Sequence, residues 1–186
     1  MKYLGSKKLI TSRLILKNTE DSDLKTLWEI LCIPEVNKYY LTSKLSFNWE
    51  EELPWQMKKL AKAKNPDVFC WSIILKETNE CIGQITVQEK EGYPSDIRDI
   101  GWFINPKYQR KGYASEAAQK VIDYMFQEVG IKKILTGAAI ANPASWLLME
   151  KLGFKRLTHQ NKFVKYTFVP EEVEIYTYEL TGGDKK

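Results

Sequence analysis

Residues 105–119 read NPKYQRKGYASEAAQ, a segment in which a bulky, strand-like run gives way to Gly112 and then to a helical repeat. The first turn of a helix carries backbone N–H groups with no intrahelical acceptor, and the helix dipole adds positive potential at the same point. Phosphate is the natural guest of such a turn. Gly112 lets the backbone approach a ligand that a side chain would hold off, Ala114 keeps the first turn bare, and Arg110 and Lys111 add charge. A glycine ahead of a helix is also an ordinary turn residue, and basic loop side chains are ordinarily solvated, so the loop alone leaves both readings open. The pattern G-x-x-x-x-G-K-[ST] is missing and no strand is followed by G-x-G-x-x-G, which argues against a nucleotide-hydrolysing or dinucleotide-binding enzyme.

Other reactive residue types are sparse. His159, the one histidine, sits in the polar stretch KRLTHQNK and reads as an exposed strand residue ahead of a catalyst. Cys32, Cys70 and Cys81 are odd in number, form no C-x-x-C pair and have only His159 to join them, so neither a disulfide framework nor a metal site is expected. This usage fits a reducing, cytoplasmic setting.

The elements that position the loop follow from periodicity. Residues 9–17, LITSRLILK, read as one strand, with Thr19 as the N-cap of a helix whose buried face is Leu24, Leu27, Trp28 and Leu31. That helix stops before Pro34, residues 34–46 show no clear period, and a second helix, bent near Pro54, runs to about residue 64. Strands at 68–75 and 81–88 join across KETNE as a hairpin, and IRDIGWFI at 97–104 leads to Asn105-Pro106. From Ala114 a helical stripe of Ala117, Ala118, Val121, Ile122, Met125, Phe126 and Val129 ends near Gly130, with Glu116 and Lys120 as an outward i, i+4 pair. A strand at 132–140 precedes a short helix capped by Asn142, opened by Pro143 and ended by Gly153. Strand-like runs at 154–168 and 174–180 follow, and 182–186 reads as a disordered tail behind a single domain at 9–181. The order implies an α/β (α+β) fold, a mixed sheet with helices on both faces.

The 186 residues, 44% of them hydrophobic, suffice for one compact domain. With 28 basic and 24 acidic residues interspersed, the net charge of +4 marks no nucleic-acid partner, and no run approaches the eighteen or so apolar residues of a membrane helix.

Taken together, TSRLIL, IGWFINPKYQRKGYASEA and NPASWLLMEKLGF resemble the GNAT family of acyl-CoA-dependent N-acetyltransferases over about residues 9–181, and more narrowly its RimJ/RimL branch. The resemblance implies a mostly antiparallel mixed sheet and acetyl-CoA as co-substrate, with no metal. It places Gln109, Arg110, Lys111, Gly112, Tyr113, Ala114 and Ser115 around the CoA pyrophosphate, and sets the Phe103 and Ile104 end of the preceding strand beside the pantetheine arm. Asn142 would touch that arm as well as cap its helix. Many relatives carry a catalytic tyrosine seven residues after this asparagine; here that position is Met149, which cannot donate a proton. In the RimJ/RimL branch a serine three residues after the asparagine is the candidate general acid, which nominates Ser145. Asp99, where relatives often carry glutamate, is the candidate base acting through a water, with Glu89 and Glu91 in reserve.

In this family the acceptor is chosen by the first two helices and their connector, here rich in Trp28, Tyr39, Tyr40, Phe47, Trp49 and Trp55. Trp28 reads as core, Tyr39 and Tyr40 as cleft residues. No dense carboxylate cluster lies between residues 34 and 48, which disfavours a polycationic acceptor. The first-ranked acceptor is a protein N-terminal α-amino group, ahead of a small amine and of a non-catalytic CoA-binding module; the protein is expected to be a monomer or homodimer.

Overall fold

Strand β3 (Phe69–Leu75) carries FCWSIIL and is buried at nearly every position, so it needs cover on both faces. In the computed structural model, which describes residues 1–40, 44–157 and 162–184, it has that cover. Among the described residues one nine-stranded sheet contains β1 (Leu9–Ile10), β2 (Leu14–Asn18), β3, β4 (Glu80–Glu89), β5 (Ile97–Ile104), β6 (Lys133–Ala139), β7 (Lys155–Arg156), β8 (Lys162–Lys165) and β9 (Glu172–Thr181). The order is β1-β2-β3-β4-β5-β6-β9-β7, with β8 also on β9, and every pairing is antiparallel except β5 with β6.

The described residues also form five α-helices: α1 (Asp21–Leu31), α2 (Pro34–Asn37), α3 (Trp49–Ala63), α4 (Tyr113–Tyr124) and α5 (Pro143–Lys151). Ala117, Ala118, Val121 and Ile122 of α4 join a core with Leu14, Trp71, Ile85, Ile100 and Ile104. Leu27, Ile30 and Leu31 of α1 and Val36 of α2 join a separate core with Phe103. Neighbouring strand residues point to opposite faces, so the division between Phe103 and Ile104 puts helices on both faces, as the element order implies.

Several local expectations change. The run at 9–17 is two strands, Leu9 opposite Leu16, because Thr11 closes a turn: its amide donates to the Leu14 carbonyl at 3.0 Å and its Oγ1 accepts from the Leu14 amide at 2.9 Å. Thr19 is not the N-cap of α1. Glu20 is, in a reciprocal capping box with Asp23, while Thr19 is buried beside Ser72 and Cys70. Residues 34–37 form a single-turn helix with Pro34 in its first turn, and α3 runs through Pro54. The strand-like run at 154–168 splits into β7 and β8, which pair with different parts of β9. After β9 a 3-10 turn spans Gly182–Asp184.

One glycine sets the depth of β5. A Cβ at Gly83 would stand 2.2 Å from the Phe103 carbonyl oxygen, a distance no side-chain carbon can occupy. Gly83 therefore lets β4 approach the end of β5, and the β3–β4 register shifts beside it, between Ile73 and Ile74.

Candidate active site

β5 is held unequally. Its pairing with β4 runs from Arg98 opposite Glu89 to Ile104 opposite Gly83, but its parallel pairing with β6 covers only Ile97 with Lys133 and Arg98 with Ile134. Beyond that point β6 turns away, and the Thr136 hydroxyl donates to the Ile100 carbonyl at 2.9 Å in place of a ladder bond. The wedge between the strands opens into a cleft of about 940 Å³. The edge of β5 beside Phe103 and Ile104 borders it; β6 no longer pairs there, and the Ile104 carbonyl is taken by the Gln109 side chain.

At the mouth of the wedge the loop after β5 feeds α4. Arg110 at φ +59° and Gly112 at φ +82° both take the left-handed conformation, which turns successive amides toward one side. Among the described residues, the amides of Arg110, Lys111, Gly112, Tyr113, Ala114 and Ser115 donate to no protein acceptor; the first helical bond is Glu116 N–H to the Gly112 carbonyl at 3.0 Å. This is a concave run of donors at a dipole's positive end, the arrangement that holds an oxyanion. Gln109, Arg110, Gly112, Tyr113, Ala114 and Ser115 all line the cleft; Lys111 does not, and its ammonium lies 5.4 Å from the Tyr108 ring centre. The Gln109 side chain folds back, its Nε2 donating to the Ile104 carbonyl at 3.0 Å, so it braces the loop against β5.

The loop has a brace that the sequence did not announce. Glu116 does not pair with Lys120. It turns to the β1–β2 turn, where its carboxylate accepts from Thr11 Oγ1 at 2.6 Å, Ser12 Oγ at 2.9 Å, Arg13 N at 2.8 Å and Arg13 Nε at 2.7 Å. Arg13 also donates from Nη1 to the Lys111 carbonyl at 2.9 Å and lies 4.6 Å over the Tyr113 ring. Burial pushes the Glu116 carboxyl up, but the hydrogen bonds from Thr11, Arg13 and Ser12 outweigh it and hold it at about 2. It is therefore ionised at neutral pH, and its charge is spent on Arg13.

The opposite wall is the start of α5. Asn142 occupies the N-cap position, but its side chain makes no capping hydrogen bond, contrary to the expectation that it caps. Its amide group is left to the cleft that it lines, together with Ser145 and Met149. Ser145 stands in the first turn, its backbone N–H donating to the Asn142 carbonyl at 3.1 Å, and is half-buried.

Toward the far end, Asp99 lines the cleft and is ion-paired with Lys90 at 3.0 Å. Glu89 and Glu91 are exposed and outside the lining; Glu89 faces Arg98 at 3.7 Å. Tyr39 and Tyr40 do line the cleft, and Tyr40 packs edge-on to Phe103 at 5.1 Å. Burial pushes the Tyr40 phenol up. Trp28 is only partly buried: it packs on Trp49 at 5.2 Å and its Nε1 donates to the Ser46 carbonyl at 2.8 Å.

The site residues expected from sequence are thus gathered around one cleft, apart from Lys111 and the reserve carboxylates Glu89 and Glu91; His159 lies outside the described residues. Sequence reasoning missed Arg13, the clamp at Glu116, Thr136 and Tyr166. Arg13 and Glu116 stand far apart in the chain, and no local spacing marks such a pair. Tyr166 is hidden in a run that reads as strand.

A family model described as an acetyltransferase (GNAT) domain matches residues 13–155. An uncharacterized N-acetyltransferase of Bacillus subtilis, YnaD, is 32% identical over 148 residues, 80% of this chain and 82% of its own. Among solved structures, a GNAT-family acetyltransferase from Bacillus anthracis superposes with a TM-score of 0.80 at 28% identity, covering 95% of this chain and 99% of that one. Spermidine N-acetyltransferase from Vibrio cholerae, in complex with CoA and spermine, shares the fold with a TM-score of 0.77 at 18% identity over 94% of this chain and 98% of its own.

Proposed function

The chain belongs to the GNAT family of acetyltransferases, which transfer acetyl from acetyl-CoA to amines, and from that premise we propose that it acetylates the α-amino group of a protein or peptide, in the manner of the RimJ/RimL branch. The observation that carries the donor half is the run of unpartnered amides from Arg110 to Ser115 at the start of α4, which receives the CoA pyrophosphate. The side of β5 that β6 leaves unpaired, beside Phe103 and Ile104, meets the amides of the pantetheine arm, and the Asn142 side chain, which makes no capping bond, faces the same arm. Ser145 is the proton donor to the departing thiolate, because Met149 cannot serve and is buried at 2% exposure.

The acceptor half rests on a balance of magnitudes. The carboxylates lining the cleft are Glu35 and Asp99, and Asp99 is already bound to Lys90, so the site offers only a weak base. An α-amine with a pKa of about 8 is roughly 10% neutral at pH 7, whereas a lysine-type amine near 10.4 is only about 0.04% neutral. The first needs little help to lose its proton, and a water that relays the proton to the Asp99 carboxylate suffices. The same scarcity of free carboxylates disfavours a polyamine, which carries several positive charges.

The test is to incubate the protein with acetyl-CoA and a panel of peptides, polyamines and amino-sugars, following thiol release and product mass. Acetylation of peptide α-amines ahead of the rest is expected. Turnover confined to polyamines or amino-sugars would overturn the acceptor assignment.

A further inference from the structure

Tyr166 is 7% exposed, yet its hydroxyl makes no hydrogen bond among the described residues. The buried polar atoms without partners are Arg98 Nε and Nη1 and Thr177 Oγ1, so the Tyr166 oxygen is not among the enclosed ones. The residue lines the cleft. A ring packed on its sides whose hydroxyl is neither enclosed nor paired, at the wall of a cleft, is free to donate to what enters there.

The ring's place is fixed. The β8–β9 ladder ends at Lys165 opposite Glu172, so Tyr166 is the first residue past it, and the turn is closed by Val169 N–H on the Tyr166 carbonyl at 3.3 Å and by Lys165 Nζ on the Pro170 carbonyl. Its ring meets Tyr39 edge-on at 5.8 Å, and Phe168 packs on Phe47 at 5.5 Å. Two aromatic pairs thus join the β8–β9 turn to the segment between α2 and α3. Burial, with Tyr39 close by, pushes the Tyr166 phenol up, so at neutral pH it is a hydrogen-bond donor.

We propose that the Tyr166 hydroxyl is an acceptor-recognition contact that donates to an oxygen beside the reacting amine, which in a peptide is the carbonyl of the first residue. The inference rests on the acceptor reading above and gives it a chemical basis. A donor directed at the amine nitrogen would occupy the lone pair that attacks the thioester. A donor directed at an oxygen on the neighbouring carbon holds the amine in place and leaves that pair free. An amine without such an oxygen leaves the hydroxyl unpaired in a partly dehydrated cleft, which penalises it.

The experiment is steady-state kinetics of the wild type and Tyr166→Phe on an alanine-initiated peptide and on the same peptide with its first amide replaced by a trans-alkene, which keeps the shape and deletes the oxygen. Tyr166→Phe is expected to lower kcat/KM on the amide by about threefold to tenfold, mainly through the acceptor KM. It should leave the alkene analogue, the acetyl-CoA KM, the pH profile and the melting temperature unchanged. An equal loss on both acceptors, a loss confined to kcat with a shifted basic limb, or no loss would overturn the proposal. If the wild type acetylates another amine but no peptide, the acceptor reading falls by itself. The same comparison is then made on that amine and its analogue lacking the nearest oxygen: a selective loss supports the Tyr166 contact and an equal response refutes it.

Discussion

Replacing Glu116 by glutamine keeps the length of the side chain and one acceptor oxygen but removes the charge that clamps the Arg13 turn to α4. Burial works against that charge, and the hydrogen bonds from Thr11, Arg13 and Ser12 more than offset it, taking the carboxyl from 4.5 to about 2. A drop of about 2.5 units at about 1.36 kcal/mol each would favour the folded state by about 3 kcal/mol at pH 7; Glu116 is 16% exposed but Arg13 is 46% exposed, so solvent screening brings the expected loss to about 1–3 kcal/mol. Had Glu116 paired with Lys120 on the surface, the loss would be about 0.3–0.5 kcal/mol. The two arrangements are therefore separable by measurement.

The sign is that of any favourably paired carboxylate, and the size sets the clamp apart from a surface pair. A carboxyl whose folded pKa lies below its unfolded one contributes its full stabilisation above pH 4.5 and loses it as pH falls toward about 2. Linkage leaves most of this contribution at pH 4 and less than half of it at pH 3. The assay is urea unfolding, followed by tryptophan fluorescence, of the wild type and Glu116→Gln at these pH values. The gap in unfolding free energy should be largest at pH 7 and narrow on acidification. A gap below about 0.5 kcal/mol at pH 7, or one that stays constant down to pH 3, would refute the clamp.

Gly112→Ala places an L residue at φ +82°, a strain of about 1–2 kcal/mol, with its Cβ 3.3 Å from Arg13 Nη2. Acetyl-CoA affinity, measured by calorimetry, should fall about tenfold as the amides lose their aim, and an unchanged affinity would remove the loop from the donor site. Ser145→Ala should lower kcat by about a hundredfold with acetyl-CoA affinity intact; wild-type turnover would strike Ser145 as the acid. Burial pushes the Cys81 thiol up to about 11 and raises Cys32 and Cys70 as well, so chromogenic thiol titration at pH 8 should be slow on the native protein and fast after denaturation. Rapid reaction of all three thiols in the native state would contradict this burial.

The donor half of the site was legible because it is nearly contiguous. Strand, loop and helix follow one another from Ile97 to Tyr124, and the periodicity, the proline and Gly112 mark each junction. The acceptor half is assembled across the chain: Tyr39, Tyr40, Thr86, Asp99 and Tyr166 meet only after the sheet forms, and no local rule predicts their meeting. The local errors have the same origin. Thr11 closes a turn with its hydroxyl where no glycine or proline announces one, and Glu116 turns away from a helical neighbour because a distant turn offers it more hydrogen bonds. Asn142 has the sequence of a cap and does not act as one, and an uncapped asparagine facing a cleft is more informative than a satisfied one.

A strand has two faces and two edges, and β5 uses all of them. Ile100 and Ile104 bury one face under α4, while Gly101 and Phe103 carry Tyr40 on the other, with Asp99 in line beyond them. One edge pairs with β4, and the other, freed where β6 turns away, is the one proposed to meet the pantetheine arm. A strand that gives up one neighbour is held by the remaining one alone. Gly83 meets that requirement, because its missing Cβ lets β4 close on the Phe103 carbonyl, and Gln109 secures the Ile104 carbonyl from beyond the strand end. The proposed donor groove thus depends on contacts made behind it and beyond its end, and the position of the opposite face of β5 is set by the same two contacts.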